Sequence, residues 1–140
     1  IEKVVALAVL MPIVASMGGI AGTQTLTVLV RGIAMGQVVK TNQAWLINRE
    51  FLIGLMNGFL WAAVVAVAAS LWFDDWNIGI IIAAATVINL VTAALTGAAL
   101  PLVMTRANID PALAGGVVLT TVTDVVGFVS FLGLATLFYA

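Results

Sequence analysis

Four apolar stretches, at about residues 4–30, 51–73, 77–105 and 111–139, divide this chain, and every charged residue except Asp124 lies outside them. A helix rises about 1.5 Å per residue, so about 20 apolar residues cross a hydrocarbon core. Each stretch is long enough to span, with tilt or projecting ends. The chain is 64% hydrophobic and 8% charged, with a mean hydropathy of +1.25. A water-soluble domain averages about 25% charged residues, so a soluble fold is excluded. The expectation is all-α: a polytopic membrane helix bundle of four spans, forming a single domain over 1–140 without repeats or low-complexity linkers.

The connections carry the orientation. Arg31, Lys40 and Arg49, with Glu50, lie between the first two spans; Asp74 and Asp75 separate the second from the third; Arg106 and Asp110 precede the fourth. The positive-inside rule puts the first and third connections in the cytoplasm and both ends of the chain on the outer side. Trp72 and Trp76 flank the acidic turn, where an aromatic belt is expected. Asp110-Pro111 reads as an N-cap followed by proline at the first helical position. Between about 37 and 49, apolar residues including Trp45 mix with polar ones, predicting an interfacial helix. Pro101 predicts a kink near the end of the third span.

Composition removes several function classes. There is no Cys or His, so zinc sites and thiolate or imidazole catalysis are absent. A net charge of −1 gives no basic footprint for nucleic acid. The opening Ile1-Glu2-Lys3, followed by a very long apolar run, does not read as a signal peptide; it reads as the interior of a longer membrane protein.

The run TTVTDVVGF, Thr120 to Phe128, places Asp124 at bilayer depth. A carboxylate there costs about 2.5–3.5 kcal/mol on insertion scales, so it must face protein, water or a cation. At 100° per residue, Gly116, Thr120, Asp124 and Gly127 fall within about an 80° sector, with Thr123 beside it. One reading makes Asp124 an assembly residue hydrogen-bonded to Asn89 or Asn57. The other makes it functional, because no Lys, Arg or His within a span can neutralise it. Its countercharge is then a proton or a metal ion. No nucleophile or histidine partners it, which argues against an intramembrane enzyme.

The run SMGGIAGTQTLT, Ser16 to Thr27, marks the first span. Gly18 and Gly22 make a GxxxG pair, and Pro12, Ala15, Gly19, Gly22, Thr23 and Leu26 share a small, mildly polar face. Helix packing and the lining of a water-filled path are both open on this spacing. Gly54 and Gly58 mark a packing face on the second span.

Magnesium prefers six oxygens and gives up its waters reluctantly, so a path for it can hold the hydrated ion with carboxylate charge and hydroxyl or carbonyl acceptors. A chain without Cys or His suits such a hard ion, manganese and calcium included. One deep carboxylate balances half of a divalent charge. Two copies about a twofold axis supply the other half.

MPIVASMGGIAGTQTLTVLVRG, Met11 to Gly32, with IDPALAGGVVLTTVTDVVGF, Ile109 to Phe128, closely resembles the membrane domain of the MgtE family of bacterial magnesium channels. The resemblance runs through essentially the whole chain. It implies a homodimeric channel with five membrane helices per subunit, of which this chain holds the last four, without the first helix or the cytoplasmic regulatory domains. It implies a pore lined by the first and fourth spans, with Mg2+ as the ion carried, no cofactor, and a place in the bacterial inner membrane. By motif, Asp124 matches the pore carboxylate. Gly19 and Gly22 match backbone positions facing the ion, and Gly116 and Thr120 match positions whose main-chain oxygens line the same site. Many members have Asn after the paired glycines where this chain has Ile20, so a side-chain amide is missing at that point.

Overall fold

The computed structural model describes residues 2–36, 42–74 and 76–139. They form four helices: α1 (Glu2–Ala34), α2 (Gln43–Phe73), α3 (Trp76–Arg106) and α4 (Pro111–Tyr139). All four are long and apolar enough to cross a membrane. In hydrocarbon every backbone amide and carbonyl needs an internal partner, and an uninterrupted helix supplies one. Helix ends therefore fall at the charged connections.

The turns explain where the helices stop. Asp74 caps α2 in the left-handed conformation, at φ 52°, which a short polar side chain tolerates. At the end of α3, Asn108 adopts φ 61°, the amide of Ile109 donates to Met104 O at 2.8 Å and the amide of Asn108 to Thr105 O at 3.2 Å. This is a Schellman ending with Asn in the place glycine usually takes. α4 then starts at Pro111, as the Asp-Pro pair predicts.

One expectation needs revision. Of the interfacial helix expected at about 37–49, residues 37–41 lie outside those described, and 43–49 are the first turns of α2 with no break before Phe73. Leucine, isoleucine and alanine there continue the helix, so Trp45 and Arg49 form an i, i+4 pair on it, with Cζ of Arg49 5.6 Å from the Trp45 ring centroid. Helix α3 continues through Pro101, which is buried, as far as Arg106.

α3 is the central element. It packs on α1, α2 and α4; α1 also packs on α4, whereas α2 packs chiefly on α3. Small residues permit these approaches, since close backbone contact replaces the hydrophobic effect as the driving force in lipid. A Cβ added at Gly54 falls 2.6 Å from Cβ of Ala94, and one at Gly58 falls 3.3 Å from Cα of Val87. The packing role read for this glycine pair is the one they occupy. Near the α2–α3 turn, Leu10, Val14, Ile78, Ile81, Ile82 and Phe131 form an apolar core. The outward faces are apolar too, with Met56, Leu71, Trp72 and Trp76 each more than 70% exposed, as helices bathed in hydrocarbon require.

Candidate functional site: the α1–α4 groove

The site follows from how α4 meets α1. A ridge at every fourth position of α4, Gly115, Leu119, Thr123, Gly127 and Phe131, is buried. Leu119 fits against Gly22, and Leu26 of α1 fits against Gly115, so each helix presents a leucine to the other's glycine. The neighbouring ridge, Gly116, Thr120 and Asp124, is left outside the contact. Asp124 is half-buried, about 20 Å along α4 from Pro111 and so near its middle.

Beside that ridge runs a groove of about 510 Å³. Thr120 and Asp124 form its α4 wall; Ala15, Ser16, Gly19, Ile20, Thr23 and Gln24 form its α1 wall. The Thr23 hydroxyl donates to Gly19 O at 2.7 Å, and the Thr123 hydroxyl is shared between Leu119 O and Thr120 O, each at 3.1 Å. A helix carbonyl already accepts its own i+4 amide, so the second lone pair of Gly19 O is taken by Thr23. Once its proton is so committed, the Thr23 hydroxyl oxygen remains an acceptor toward the groove.

Three of the five expected site residues, Asp124, Thr120 and Gly19, therefore meet along one groove. Gly22 does not line it: besides Leu119, it faces α3, where its carbonyl oxygen lies 2.8 Å from a Cβ built on Gly97. Gly116 is exposed, with open space around it, two turns from Asp124 on the same ridge. Gly127, in the same angular sector, is turned inward against Asn89 and Ala15. Ridges on a helix drift around the axis, so residues equally close to Asp124 in projection fall on different sides of the contact.

Ser16 and Gln24 were missed as lining residues. The signal was available: they flank Ile20 at intervals of four, so the three share a ridge beside Gly19 and Thr23. The assembly partners considered for Asp124 are elsewhere. Asn89 is fully buried and donates through Nδ2 to Val14 O, and Asn57 is exposed on α2. Asp124 has no hydrogen-bond or ion-pair partner among the described residues. No group of three or more acidic or histidine side chains occurs among them that could hold a bare metal ion. The groove therefore offers one carboxylate, hydroxyls and an amide, a set matched to the water shell of a hard cation.

A family profile described as MgtE, a divalent cation transporter, matches residues 11–134. The chain is 31% identical over 138 residues to the magnesium transporter MgtE of Bacillus subtilis (strain 168), covering 99% of this chain and 31% of that protein. It is 31% identical over 132 residues to the magnesium transporter MgtE of Enterococcus faecalis, covering 94% and 29%. To the magnesium transporter MgtE of Thermus thermophilus it is 28% identical over 137 residues, covering 98% and 30%. The chain spans about 30% of the length of these curated relatives.

Proposed function

This chain belongs to the MgtE family of divalent cation transporters, and from that premise we propose that it forms the pore of a magnesium channel, two copies facing each other across the Asp124 groove. The observation that carries the reading is Asp124 itself: a half-buried carboxylate in mid-helix, lining an open groove, with no countercharge among the described residues. An ion passing along the groove neutralises what the protein leaves unbalanced.

The chemistry is that of a hydrated ion. Six waters at about 30 Å³ each occupy about 180 Å³, well within the groove. Two Asp124 carboxylates about a twofold axis match the ion's charge, while the oxygens of Thr23, Thr120 and Gln24 accept hydrogen bonds from its waters. Without an ion the two carboxylates repel, so the site favours occupancy. Binding through water keeps it shallow enough for release, and ions move down their electrochemical gradient. Manganese and calcium fit the same oxygen set. Gly116 belongs to the same path, on the ridge that leads from Asp124 toward the start of α4. In this reading the Arg31, Arg49 and Arg106 end of the bundle is cytoplasmic, in a bacterial inner membrane, and the start of α1 and end of α4 are outside.

Replacing Asp124 by Ala tests the proposal. Magnesium uptake in cells or vesicles is expected to be abolished while dimer assembly persists. Unchanged uptake would sink it, and loss of assembly with retained flux would make Asp124 an assembly residue. Coupling of the metal to protons predicts a reversal potential that shifts with pH, whereas a channel predicts none.

A further inference from the structure

We propose that Glu50 forms a second site for a hydrated divalent cation, in the crevice between α1 and α2. Glu50 is 9% exposed and has no hydrogen-bond or ion-pair partner among the described residues. Among the described residues, the enclosed, unpartnered side-chain atoms are on Thr86 and Asn89, so the Glu50 oxygens keep access to the crevice, where a cation can balance the charge of a mostly buried side chain. It lines a crevice of about 280 Å³ together with Gln24, Thr25 and Asn57, over a floor that includes Leu90 of α3. The crevice exists because α1 and α2 both pack on α3 without packing closely on each other.

Two of the basic groups near this end of the bundle, Arg106 and Arg49, are engaged elsewhere. Arg106 donates to Oε1 of Gln43 at 2.8 Å. Arg49 lines the mouth of the crevice, but its guanidinium is held over the Trp45 ring, back along its own helix. What remains around Glu50 is one charge, two amides and a hydroxyl, an oxygen donor set for the water shell of a hard ion. The crevice volume exceeds the roughly 180 Å³ that six waters need.

Gln24 lines both this crevice and the Asp124 groove. Glu50 lies about 10 Å from the start of α2, nearer the arginine-bearing end than Asp124 is on α4. The two carboxylates therefore stand at different depths on opposite flanks of α1, with one amide between them. The identity of the ion rests on the divalent-cation reading of the chain, whereas the site's geometry does not involve Asp124.

The test counts Mn2+ bound to the full chain in detergent by electron paramagnetic resonance, at fixed sodium concentration and with Mg2+ as competitor. The unaltered chain is expected to bind two classes of Mn2+. Glu50→Gln should remove one class and Asp124→Asn the other. Asn57→Leu, an exposed change in the crevice, should weaken the Glu50 class roughly tenfold, and Arg49→Gln should tighten it roughly threefold by removing a like charge at the mouth. Unchanged stoichiometry in a folded Glu50→Gln protein overturns the proposal; if that variant does not fold, unchanged affinity in Asn57→Leu does so. Loss of no class in Asp124→Asn overturns the Asp124 reading alone, leaving Glu50 standing.

Discussion

The amide nitrogen of Asn89, at the centre of α3, donates 2.8 Å to the carbonyl oxygen of Val14 on α1. The same amide fills a notch left by two glycines. Gly18 of α1 has no side chain where Asn89 sits, and a Cβ on Gly127 of α4 falls 3.1 Å from Asn89 Nδ2. Both walls of the groove thus rest on one side chain behind it, since Gly18 adjoins Gly19 and Gly127 is one turn from Asp124. Its Oδ1 and the hydroxyl of Thr86, one turn away on α3, are buried without hydrogen-bond partners.

Removing that amide should loosen the bundle. Asn89→Ala loses an interhelical hydrogen bond and leaves a gap, a combined cost of about 1–2 kcal/mol. Gly18→Ala should cost more, because its new methyl falls directly on Asn89. In the double variant the methyl occupies the space the amide vacates, so the two losses should be markedly less than additive. Unfolding titrations in mixed detergent read all three, and strictly additive losses would refute the shared notch.

Gly97→Ala should separate α1 from α3. Its methyl would lie 2.8 Å from Gly22 O and 2.9 Å from Cβ of Thr25, and a backbone oxygen in a packed helix cannot swing aside. The expected loss is about 1–3 kcal/mol. Gly116→Ala meets nothing within 4 Å and should leave stability within about 0.5 kcal/mol of the original. If Gly116 lines the path as proposed, that variant should nevertheless lower magnesium flux. Equal stability of the two variants in thermal melts would refute the contact at Gly97, and unchanged flux in Gly116→Ala would remove Gly116 from the path.

The proposed dimer, facing across the groove, can be tested chemically. The chain has no cysteine, so Thr120→Cys carries its only thiol. A short bis-maleimide linker should join two copies, doubling the mass on a denaturing gel. Val67→Cys, at a position of α2 that is itself 56% exposed, should give little product. The reverse pattern would place the dimer contact on α2 and end the facing-groove arrangement.

Much of the fold is legible along the chain because lipid imposes a simple rule. Apolar runs bounded by charge have to be helices, so four elements and three connections follow from Arg31, Asp74, Arg106 and their neighbours. The Asp110-Pro111 start and the packing role of Gly54 and Gly58 follow equally from local chemistry. The beginning of α2 was harder to read. Its mixed polar and apolar composition fits an interfacial helix or the projecting end of a span, and only the continuous helix over Gln43–Phe73 distinguishes them.

The site divides along the same line. Periodicity on α4 singled out Asp124 with Thr120 and Gly116, and residue chemistry required an oxygen-seeking partner for the carboxylate. It did not reveal that Gly22 turns toward Gly97 while Gly19 turns to the groove, or that Ser16 and Gln24 join it. A helix as apolar as α1 or α4 has no polar face to announce its orientation. In lipid both of its sides are equally well solvated by hydrocarbon, so hydrophobicity cannot choose between them. The choice is made by steric fit: Leu119 into Gly22, Leu26 into Gly115 and Asn89 between Gly18 and Gly127. Sequence alone determined that the chain forms four long helices and buries one acid at mid-depth. The tertiary structure decided which ridge of α4 is covered and which is open, because that depends on contacts between helices far apart in sequence.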